Sequence, residues 1–304
     1  MKKALIIGSN GQDGKILTKY LQNKNFEVIG ITREDPFLMY DLKFLAEYFS
    51  ANKINQIYYL AAHHHSSGNN VEQDGTEFYA CFKTHVEYIK NILEVLVNVS
   101  HDTRVFYASS SLIYGMPKQE LLNENSEKNP ICDYGITKKI GMDIIKWYRE
   151  KYNLFACSGI LFNHESHFRS PNFLSRKIIQ TAVKIKKGEA DKLILGDLNA
   201  QTDWGYAPDF CDAFYRMLIA DKPYDYVISS GELHKVQDWI EQVFSLLDLD
   251  WEKYIIEDKS LITRKKPVMI GDNSKIKKEL DWLPETSFND IIKKMLEEEL
   301  KNYD

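Results

Sequence analysis

The chain has 304 residues, of which 44% are hydrophobic and 12% aromatic, so it can bury a substantial core and is expected to be globular. The net charge of -5 and the pI of about 6.0 give neither the basic surface of a nucleic-acid-binding protein nor a polybasic membrane patch. Four cysteines without metal-binding spacing predict reduced thiols in a cytoplasmic protein: Cys81, Cys132, Cys157 and Cys211.

The first half of the chain alternates between short apolar runs and amphipathic stretches. Residues 3–7, KALII, form an apolar run that ends at a glycine, which predicts a buried parallel strand. The run is too short for a signal peptide or a membrane span. Further strands are predicted over 26–32, 54–62, 104–109 and 155–162, and helices over 14–23, 42–53, 78–99 and 134–152.

This alternation predicts an α/β fold, a Rossmann-type doubly wound parallel sheet with right-handed crossovers. After about residue 163 it gives way to mixed short elements. We therefore expect an NAD(P)-binding domain over residues 1–162. A smaller mixed α/β domain, mainly for the substrate, should cover 163–304, with some segments returning to the first sheet. Ligands of such sheets bind at the carboxyl ends of the strands.

Gly8, Gly11 and Gly14 form a G-x-x-G-x-x-G motif directly after the first strand. Glycines let the backbone turn tightly and approach a pyrophosphate at a helix N-terminus. The motif therefore predicts a nicotinamide dinucleotide as cofactor. Other residues at this end of the sheet are expected to contact it: Asn10, Gln12, Asp13, Asp41, Leu42, Leu60, Ala61 and Ala62.

The second strand is followed by Arg33 and Glu34. The forked donors of Arg33 suit a 2′-phosphate, whereas the adjacent acidic side chain does not. The segment favours NADP(H), and NAD(H) stays possible. Histidines 63–65 alternate in direction if extended, and no Cys, Asp or Glu completes a site, so a polar loop over the nicotinamide is favoured and no metal is predicted.

Tyr134 and Lys138 stand four residues apart in YGITK and would share one face of a helix. A lysine ammonium near a phenol is expected to lower the tyrosine pKa toward neutrality. The tyrosine would then act as a general acid or base. Ser110, in FYASSSLIYG, would hold a substrate hydroxyl or carbonyl beside it.

Several segments resemble the extended short-chain dehydrogenase/reductases and, more narrowly, the GDP-mannose 4,6-dehydratases. The resemblance implies an NAD(P)-dependent enzyme for a nucleotide-diphospho-sugar, with a nucleotide-sugar domain and a homodimer or higher homo-oligomer formed through the long helices. The segments are GSNGQDG (8–14), LFNHESHFRSPNFLSRKI (161–178), LILGDLNAQTDWGYAPDF (193–210), DYVISSGELH (225–234) and IGDNSKIKKELDWLPETSF (270–288).

The resemblance assigns roles to individual residues. Ser110 matches the catalytic Thr or Ser of the family, and Tyr134 and Lys138 match its Tyr-Lys pair. The cofactor would also contact Leu161, Asn163 and His164. The substrate would contact Ser111, Leu112, Asn163, Asn172, Leu195, Gly196, Thr202 and Arg264, and the basic pair Arg176 and Lys177 near the nucleotide.

The chain departs from the family in SSSLIYG (109–115), where Leu112 replaces the glutamate that abstracts the C5 proton and assists water loss from C6. Leucine has no acid or base function in any protonation state. Thr202 replaces an arginine before Asp-Trp-Gly, for which Arg264 or Lys266 could compensate. Guanine as the base is implied by analogy alone.

These departures favour an oxidoreductase at C4 of the sugar, most simply a 4-keto-6-deoxyhexose reductase of deoxysugar and surface-polysaccharide synthesis. One alternative is a 4,6-dehydratase with a relocated base, with Glu120, Glu124 and Asp133 as candidates. A C4 epimerase is another alternative. A non-catalytic binding protein on the same fold is disfavoured, because the serine, tyrosine and lysine are all kept.

Overall fold

The computed structural model describes residues 1–35, 37, 39–63, 76–262 and 267–301. The strands are β1 (Lys2–Ile7), β2 (Phe26–Ile31), β3 (Gln56–Tyr59), β4 (Arg104–Ala108), β5 (Leu121–Leu122), β6 (Ala156–Leu161), β7 (Asn163–Glu165), β8 (Leu193–Leu195), β9 (Gln201–Tyr206), β10 (Tyr226–Ile228), β11 (Leu233–Lys235), β12 (Ile255–Glu257) and β13 (Ile270–Gly271). The α-helices are α1 (Gln12–Asn23), α2 (Leu42–Asn52), α3 (Thr76–Phe82), α4 (Tyr88–Val99), α5 (Asp133–Tyr152), α6 (Leu174–Lys186), α7 (Ala207–Ile219), α8 (Val236–Leu246), α9 (Ser274–Leu280) and α10 (Phe288–Lys301).

Six strands form one sheet in the order β10-β6-β4-β3-β1-β2, and every pair in it is parallel. The predicted α/β fold with a parallel sheet is confirmed. Two predicted elements differ in detail. The third strand ends at Tyr59, three residues early, and the predicted helix 78–99 begins at Thr76 and contains a π-helix over Lys83–Glu87.

Hydrophobic clusters cover both faces of this sheet. Successive residues of β1 alternate between them, so that Ile6 packs on one face and Ile7 on the other. On the first face Phe106 of β4 stacks on Phe214 of α7, with ring centroids 4.4 Å apart. Burying one such ring stabilises the fold by about 1.5–3 kcal/mol. None of the described helices is long and apolar enough to cross a membrane.

The later part of the chain packs α6, α8 and α10 around a separate cluster beside the sheet β11-β9-β7. Two of its elements return to the first sheet: β10 pairs with β6, and α7 covers one face. The buried carboxylate of Asp203 accepts hydrogen bonds from the amides of Ser230, Gly231 and Gly271, which ties β9 to the ends of β10 and β13.

Candidate functional site

A cavity of about 430 Å³ opens at the carboxyl ends of the parallel strands, where these face the smaller domain. Its walls come from the segments after β3, β4 and β6, the start of α5, and β9. The predicted site residues that line it are Asp13, Leu60, Ala62, Ser110, Ser111, Leu112, Tyr134, Lys138, Leu161, Asn163, His164, Asn172 and Thr202.

Helix α5 and the end of β4 bring the predicted serine, tyrosine and lysine to this one cavity. Lys138 is 1% exposed, and its Nζ donates a hydrogen bond to the carbonyl of Ala108 at 2.8 Å. The same nitrogen lies 5.7 Å from the ring centroid of Tyr134 and 5.0 Å from that of Tyr107. The lysine is therefore held beneath the tyrosine by the strand end.

The protonation of this pair differs from the prediction. Burial lowers the pKa of Lys138 to about 7. Burial also raises the pKa of Tyr134 above its ordinary value, so the expected lowering of that pKa is wrong for this structure. The physical reason is that removing both groups from water disfavours phenolate and ammonium alike. At neutral pH Tyr134 is therefore a phenol with a proton to donate.

Ser110 and Leu112 occupy one tight turn after β4. Ser110 has extended backbone angles, and its Oγ accepts a hydrogen bond from the amide of Leu112 at 3.2 Å, which starts a 3-10 helix over Ser111–Tyr114. The turn packs against the start of α5, since a Cβ on Gly135 would lie 2.6 Å from the carbonyl oxygen of Leu112. Leu112 thus lines the cavity beside the start of α5.

Two carboxylates among the described residues line the cavity, and both are paired. Asp13 lies 3.0 Å from Nε2 of His164. Glu165 accepts a hydrogen bond from Oγ of Ser175 at 2.6 Å and lies 3.5 Å from Nε of Arg169. Neither carboxylate is therefore an unengaged base.

The three bases considered from sequence lie elsewhere. Glu120, Glu124 and Asp133 do not contribute to the cavity lining. Glu120 is exposed, and Glu124 accepts a hydrogen bond from the amide of Val227 at 2.8 Å. None of these three carboxylates lies at the cavity wall, so each would have to move before it could act as a base on a sugar bound there.

The glycine turn suits a pyrophosphate. Gly8 has φ +98°, and a Cβ on Gly14 would lie 2.4 Å from the carbonyl oxygen of Gly8, so both positions need glycine. Helix α1 starts after Gly11, two residues earlier than predicted, and no side chain caps it, which leaves its first amides for a phosphate. These features fit the dinucleotide that the sequence predicts. Of the other predicted cofactor contacts, Ala61 lies against this turn, with its amide nitrogen 2.8 Å from where a Cβ on Gly8 would be, and Asn10 is exposed in the turn.

The glycine turn is also fastened to the segment after β6. Gln12 donates to the carbonyl of His164 at 3.0 Å and accepts a hydrogen bond from Ser166 at 2.9 Å. Burial alone would raise the pKa of Asp13, but the charge of His164 and its hydrogen bond outweigh this and lower it. Burial alone would lower the pKa of His164, and Asp13 raises it instead.

Arg33 is exposed in a turn that closes through Asp35, whose carboxylate accepts hydrogen bonds from the amide and hydroxyl of Thr32 at 2.6 and 2.8 Å. The guanidinium therefore stands at the end of β2 in solvent. Asp41 caps α2 by accepting from the amides at 43 and 44, and Leu42 is 43% exposed. The cofactor contacts expected of these two residues stay predictions.

Four residues expected near the substrate lie outside the cavity lining. Arg176 is buried and pairs with Glu299 of α10 at 2.8 Å, and Lys177 donates to the carbonyl of Ile194 at 2.9 Å. Leu195 is buried in β8, and Gly196 follows it against Ile262. Arg264, Lys266, His64 and His65 fall outside the described residues.

Among the lining residues that the sequence reasoning did not single out, two are charged, Glu165 and Arg169. The Arg169 guanidinium stacks 3.8 Å over the ring of Phe173. Both lie inside the segment 161–178, so the family motif indicated the right segment but not which of its residues line the cavity. In the described part of the chain, no cluster of His, Cys, Asp and Glu is arranged to hold a metal ion.

Comparisons with known sequences show the family to which the chain belongs. A sequence model of the family described as GDP-mannose 4,6 dehydratase matches residues 37–295. The chain is 32% identical to GDP-mannose 4,6 dehydratase 2 of Arabidopsis thaliana over 329 residues, which cover 99% of this chain and 87% of that one. It is 30% identical to the GDP-mannose 4,6-dehydratase of Vibrio cholerae over 355 residues, covering 99% and 94%.

Solved structures share the fold at lower identity. RMD from Pseudomonas aeruginosa, complexed with NADPH, superposes with a TM-score of 0.85 at 17% identity and covers 99% of this chain and 100% of its own. The UDP-glucose 4-epimerase of Thermotoga maritima, with UDP-glucose, gives 0.84 at 19% identity with the same coverage. The chain belongs to the GDP-mannose 4,6-dehydratase family, within the extended short-chain dehydrogenase/reductases.

Proposed function

We propose that the protein is an NADP(H)-dependent oxidoreductase that reduces the C4 ketone of a 4-keto-6-deoxyhexose carried on a nucleoside diphosphate. The observation that carries this proposal is Leu112, which lines the cavity where the family has a catalytic glutamate. Removing a general base costs about 10²–10⁴ in rate. The parts needed to move a hydride are kept, whereas the part that dehydration adds is gone.

The described side chains can perform the proton chemistry of a reduction. A bound nicotinamide would supply the hydride to the carbonyl carbon. Tyr134 donates its phenolic proton to the carbonyl oxygen, and Lys138 in its charged form stabilises the phenolate until solvent returns the proton. Oγ of Ser110 already accepts a hydrogen bond from the amide of Leu112, which leaves its own hydrogen to be donated to the same substrate oxygen.

The raised pKa of Tyr134 means that at neutral pH the phenol carries the proton that a reduction consumes. A reduction needs the phenol in its protonated form, and burial keeps it so at neutral pH. Oxidation of an alcohol would need the phenolate instead. The charge state of the tyrosine therefore agrees with the direction that Leu112 indicates.

A 4,6-dehydratase is the second candidate, because Glu165 places a carboxylate in the same cavity. To act as the base it would have to give up its hydrogen bond with Ser175 and its contact with Arg169. A C4 epimerase needs only the serine, tyrosine and lysine. Both alternatives leave the redox state of the cofactor unchanged over a full turnover, whereas a reductase consumes NADPH. Nicotinamide absorbance therefore distinguishes them from a reductase.

The finer assignments rest on separate features. The exposed guanidinium of Arg33 supports NADP(H), and the named relatives that act on GDP-mannose support a GDP-linked sugar. A homodimer is supported by large side chains exposed along α3 and α5, with Tyr79 at 64% and Trp147 at 47%. Light scattering that shows a monomer would contradict the dimer.

The test mixes the protein with GDP-mannose and NADP, and separately with GDP-4-keto-6-deoxymannose and NADPH, and follows nicotinamide absorbance and product mass. Oxidation of NADPH by the ketone alone supports the reductase. Loss of water from GDP-mannose without net cofactor turnover overturns it. Failure with GDP-, CDP-, UDP- and dTDP-linked ketones also counts against it. Tyr134→Phe should abolish the reaction, and Tyr224→Phe, at a residue that is 46% exposed and outside the cavity lining, serves as the surface control.

A further inference from the structure

His85 lies directly behind the catalytic tyrosine. It is fully buried, and its ring meets that of Tyr134 edge-on, with centroids 5.1 Å apart and an interplanar angle of 80°. It stands in the middle of the π-helix Lys83–Glu87 that interrupts the run from α3 to α4. π-Helical segments are rare and frequently occur at functional sites.

The hydrogen bonds of His85 define its tautomer. The backbone N–H of His63 donates to Nε2 at 3.0 Å, so that nitrogen is an acceptor without a proton. The proton is then on Nδ1, which donates to Oγ1 of Thr137 at 2.8 Å. The Thr137 hydroxyl donates in turn to the carbonyl of Asp133 at 2.8 Å. The same hydroxyl also lies 3.1 Å from the carbonyl oxygen of Tyr134, so it bonds to the first turn of α5 at the residue that carries the phenol.

This chain of bonds joins the two sides of the cavity. His63 directly follows the segment after β3 that contributes Leu60 and Ala62 to the lining. Thr137 is buried on the first turns of α5, between Tyr134 and Lys138. His85 therefore links the wall on the cofactor side to the helix that carries the catalytic tyrosine.

The π-helix itself is anchored to the sheet. The hydroxyl of Tyr59, at the end of β3, donates to the carbonyl of Thr84 at 2.6 Å. The hydroxyl of Tyr107, in β4, donates to the carbonyl of His85 at 2.9 Å. Side-chain hydroxyls from two neighbouring strands thus hold the backbone at 84 and 85, which makes His85 a fixed support.

We propose that His85 is a positioning residue, which sets the ring of Tyr134 through Thr137 and separately fixes the cofactor-side wall through His63. The inference rests on the proposed redox role of Tyr134. A displacement of about 1 Å at a reacting group can cost on the order of 10²-fold in rate. The two hydrogen bonds of His85, Nδ1 to Thr137 and Nε2 to His63, are called its two arms. They bind different partners and can therefore be removed one at a time by substitution.

Two amide substitutions each keep one arm. In His85→Asn the side-chain amide nitrogen takes the place of Nδ1 and still donates to Thr137. In His85→Gln the amide oxygen takes the place of Nε2 and still accepts from His63. Thr137→Val removes the Thr137 arm alone, and Thr137→Ser restores its hydroxyl as the matched control.

We expect His85→Asn to raise the KM for NADPH about tenfold with kcat changed by less than about threefold. His85→Gln and Thr137→Val should lower kcat by about 10- to 100-fold with the KM for NADPH nearly unchanged. Thr137→Ser should recover kcat to within about threefold of the wild type. Loss of kcat in parallel with Tm in all of these variants would instead mean a merely structural role and overturn the proposal.

Two readouts do not need the sugar reaction. Nitrogen NMR of ring-labelled histidine should show an Nδ1–H tautomer that disappears in His85→Gln, and calorimetry should show weaker NADPH binding in His85→Asn only. An Nε2–H tautomer, or equal binding by both variants, overturns the proposal. If the wild type reduces no ketone while these two readouts hold, the proposed reaction fails and the support by His85 stands.

Discussion

Oγ of Ser110 accepts a hydrogen bond from the amide of Leu112 at 3.2 Å, so the serine that we propose binds the substrate oxygen also fixes the backbone of the residue that stands at the position of the family's glutamate. The bond involves only the main chain of Leu112. The side chain at position 112 can therefore change without moving the serine, which makes this position suitable for exchange.

We predict that Leu112→Glu lowers ketone reduction by about tenfold and introduces slow water loss from GDP-mannose. The new carboxylate would lie in the cavity beside Tyr134 and supply part of the general acid-base catalysis that dehydration needs. Product mass in deuterium oxide, where loss of water is accompanied by uptake of solvent deuterium, and NADPH oxidation measure the two reactions. Leu112→Gln has the same shape without an acid or base, and dehydration by that variant would contradict the explanation.

The activity should depend on the charge of Lys138. Because its pKa is lowered to about 7, the ammonium is present below that pH and is lost as pH rises through it. We expect kcat/KM for the ketone to be level below pH 7 and to fall toward tenfold per pH unit above it. Lys138→Arg keeps its charge at all accessible pH values, so its profile, at lower activity, should stay level.

Discrimination between the two nicotinamide cofactors should depend on Arg33. Arg33→Ala should raise the KM for NADPH about tenfold and leave the KM for NADH unchanged, because only NADPH carries the 2′-phosphate that the guanidinium would bind. Steady-state kinetics with both cofactors measure this. Glu34→Gln, which removes a neighbouring negative charge, should lower the KM for NADPH. Equal effects on both cofactors would argue against a contact with the phosphate.

The Asp13–His164 pair should stabilise the fold within a limited pH range. The pKa of Asp13 is lowered, so its contribution is present above the ordinary value of 3.8 and is lost as pH falls through the folded-state pKa. The pKa of His164 is raised, so its contribution is present below 6.5 and is lost as pH rises through the folded-state pKa. Both contributions are complete between those two ordinary values.

Asp13→Asn should therefore lower the free energy of unfolding most between pH 4 and 6.5, by about 3 kcal/mol, and less on either side. Chemical denaturation at several pH values measures the difference. Asp143→Asn breaks the exposed pair with Lys139 and should cost about 0.5 kcal/mol or less. A cost for Asp13→Asn that does not vary with pH would show that the ion pair is not its source.

The sequence predicts the parallel sheet well because its strands are short apolar runs that are buried on both faces, such as KALII, which ends at Gly8. The predicted third strand is too long. The residues directly after Tyr59 leave the sheet and include Leu60 and Ala62, which are apolar because they line the cavity. The π-helix at 83–87 has no periodic signal, because one added residue in a helical turn hardly changes the hydrophobic pattern.

The site is predictable where a short motif fixes both residue type and spacing, as for Tyr134 and Lys138. It is not predictable where the partner is remote in the chain. Arg176 pairs with Glu299, and nothing in the sequence around either residue indicates that pairing. The pKa of Tyr134 is likewise decided by burial, which the four-residue spacing does not report.

Because β10 and α7 come late in the chain but belong to the first sheet, the first sheet cannot be completed until they have been synthesised. A fragment that ends at residue 162 would lack β10, the edge strand beside β6. It would also expose Phe106, because the partner ring of Phe214 lies 52 residues beyond the end of the fragment. Synthesis of the first 162 residues therefore leaves an unfinished core. We expect one cooperative unfolding transition for the whole chain, and limited proteolysis near residue 162 should yield no fragment that refolds by itself.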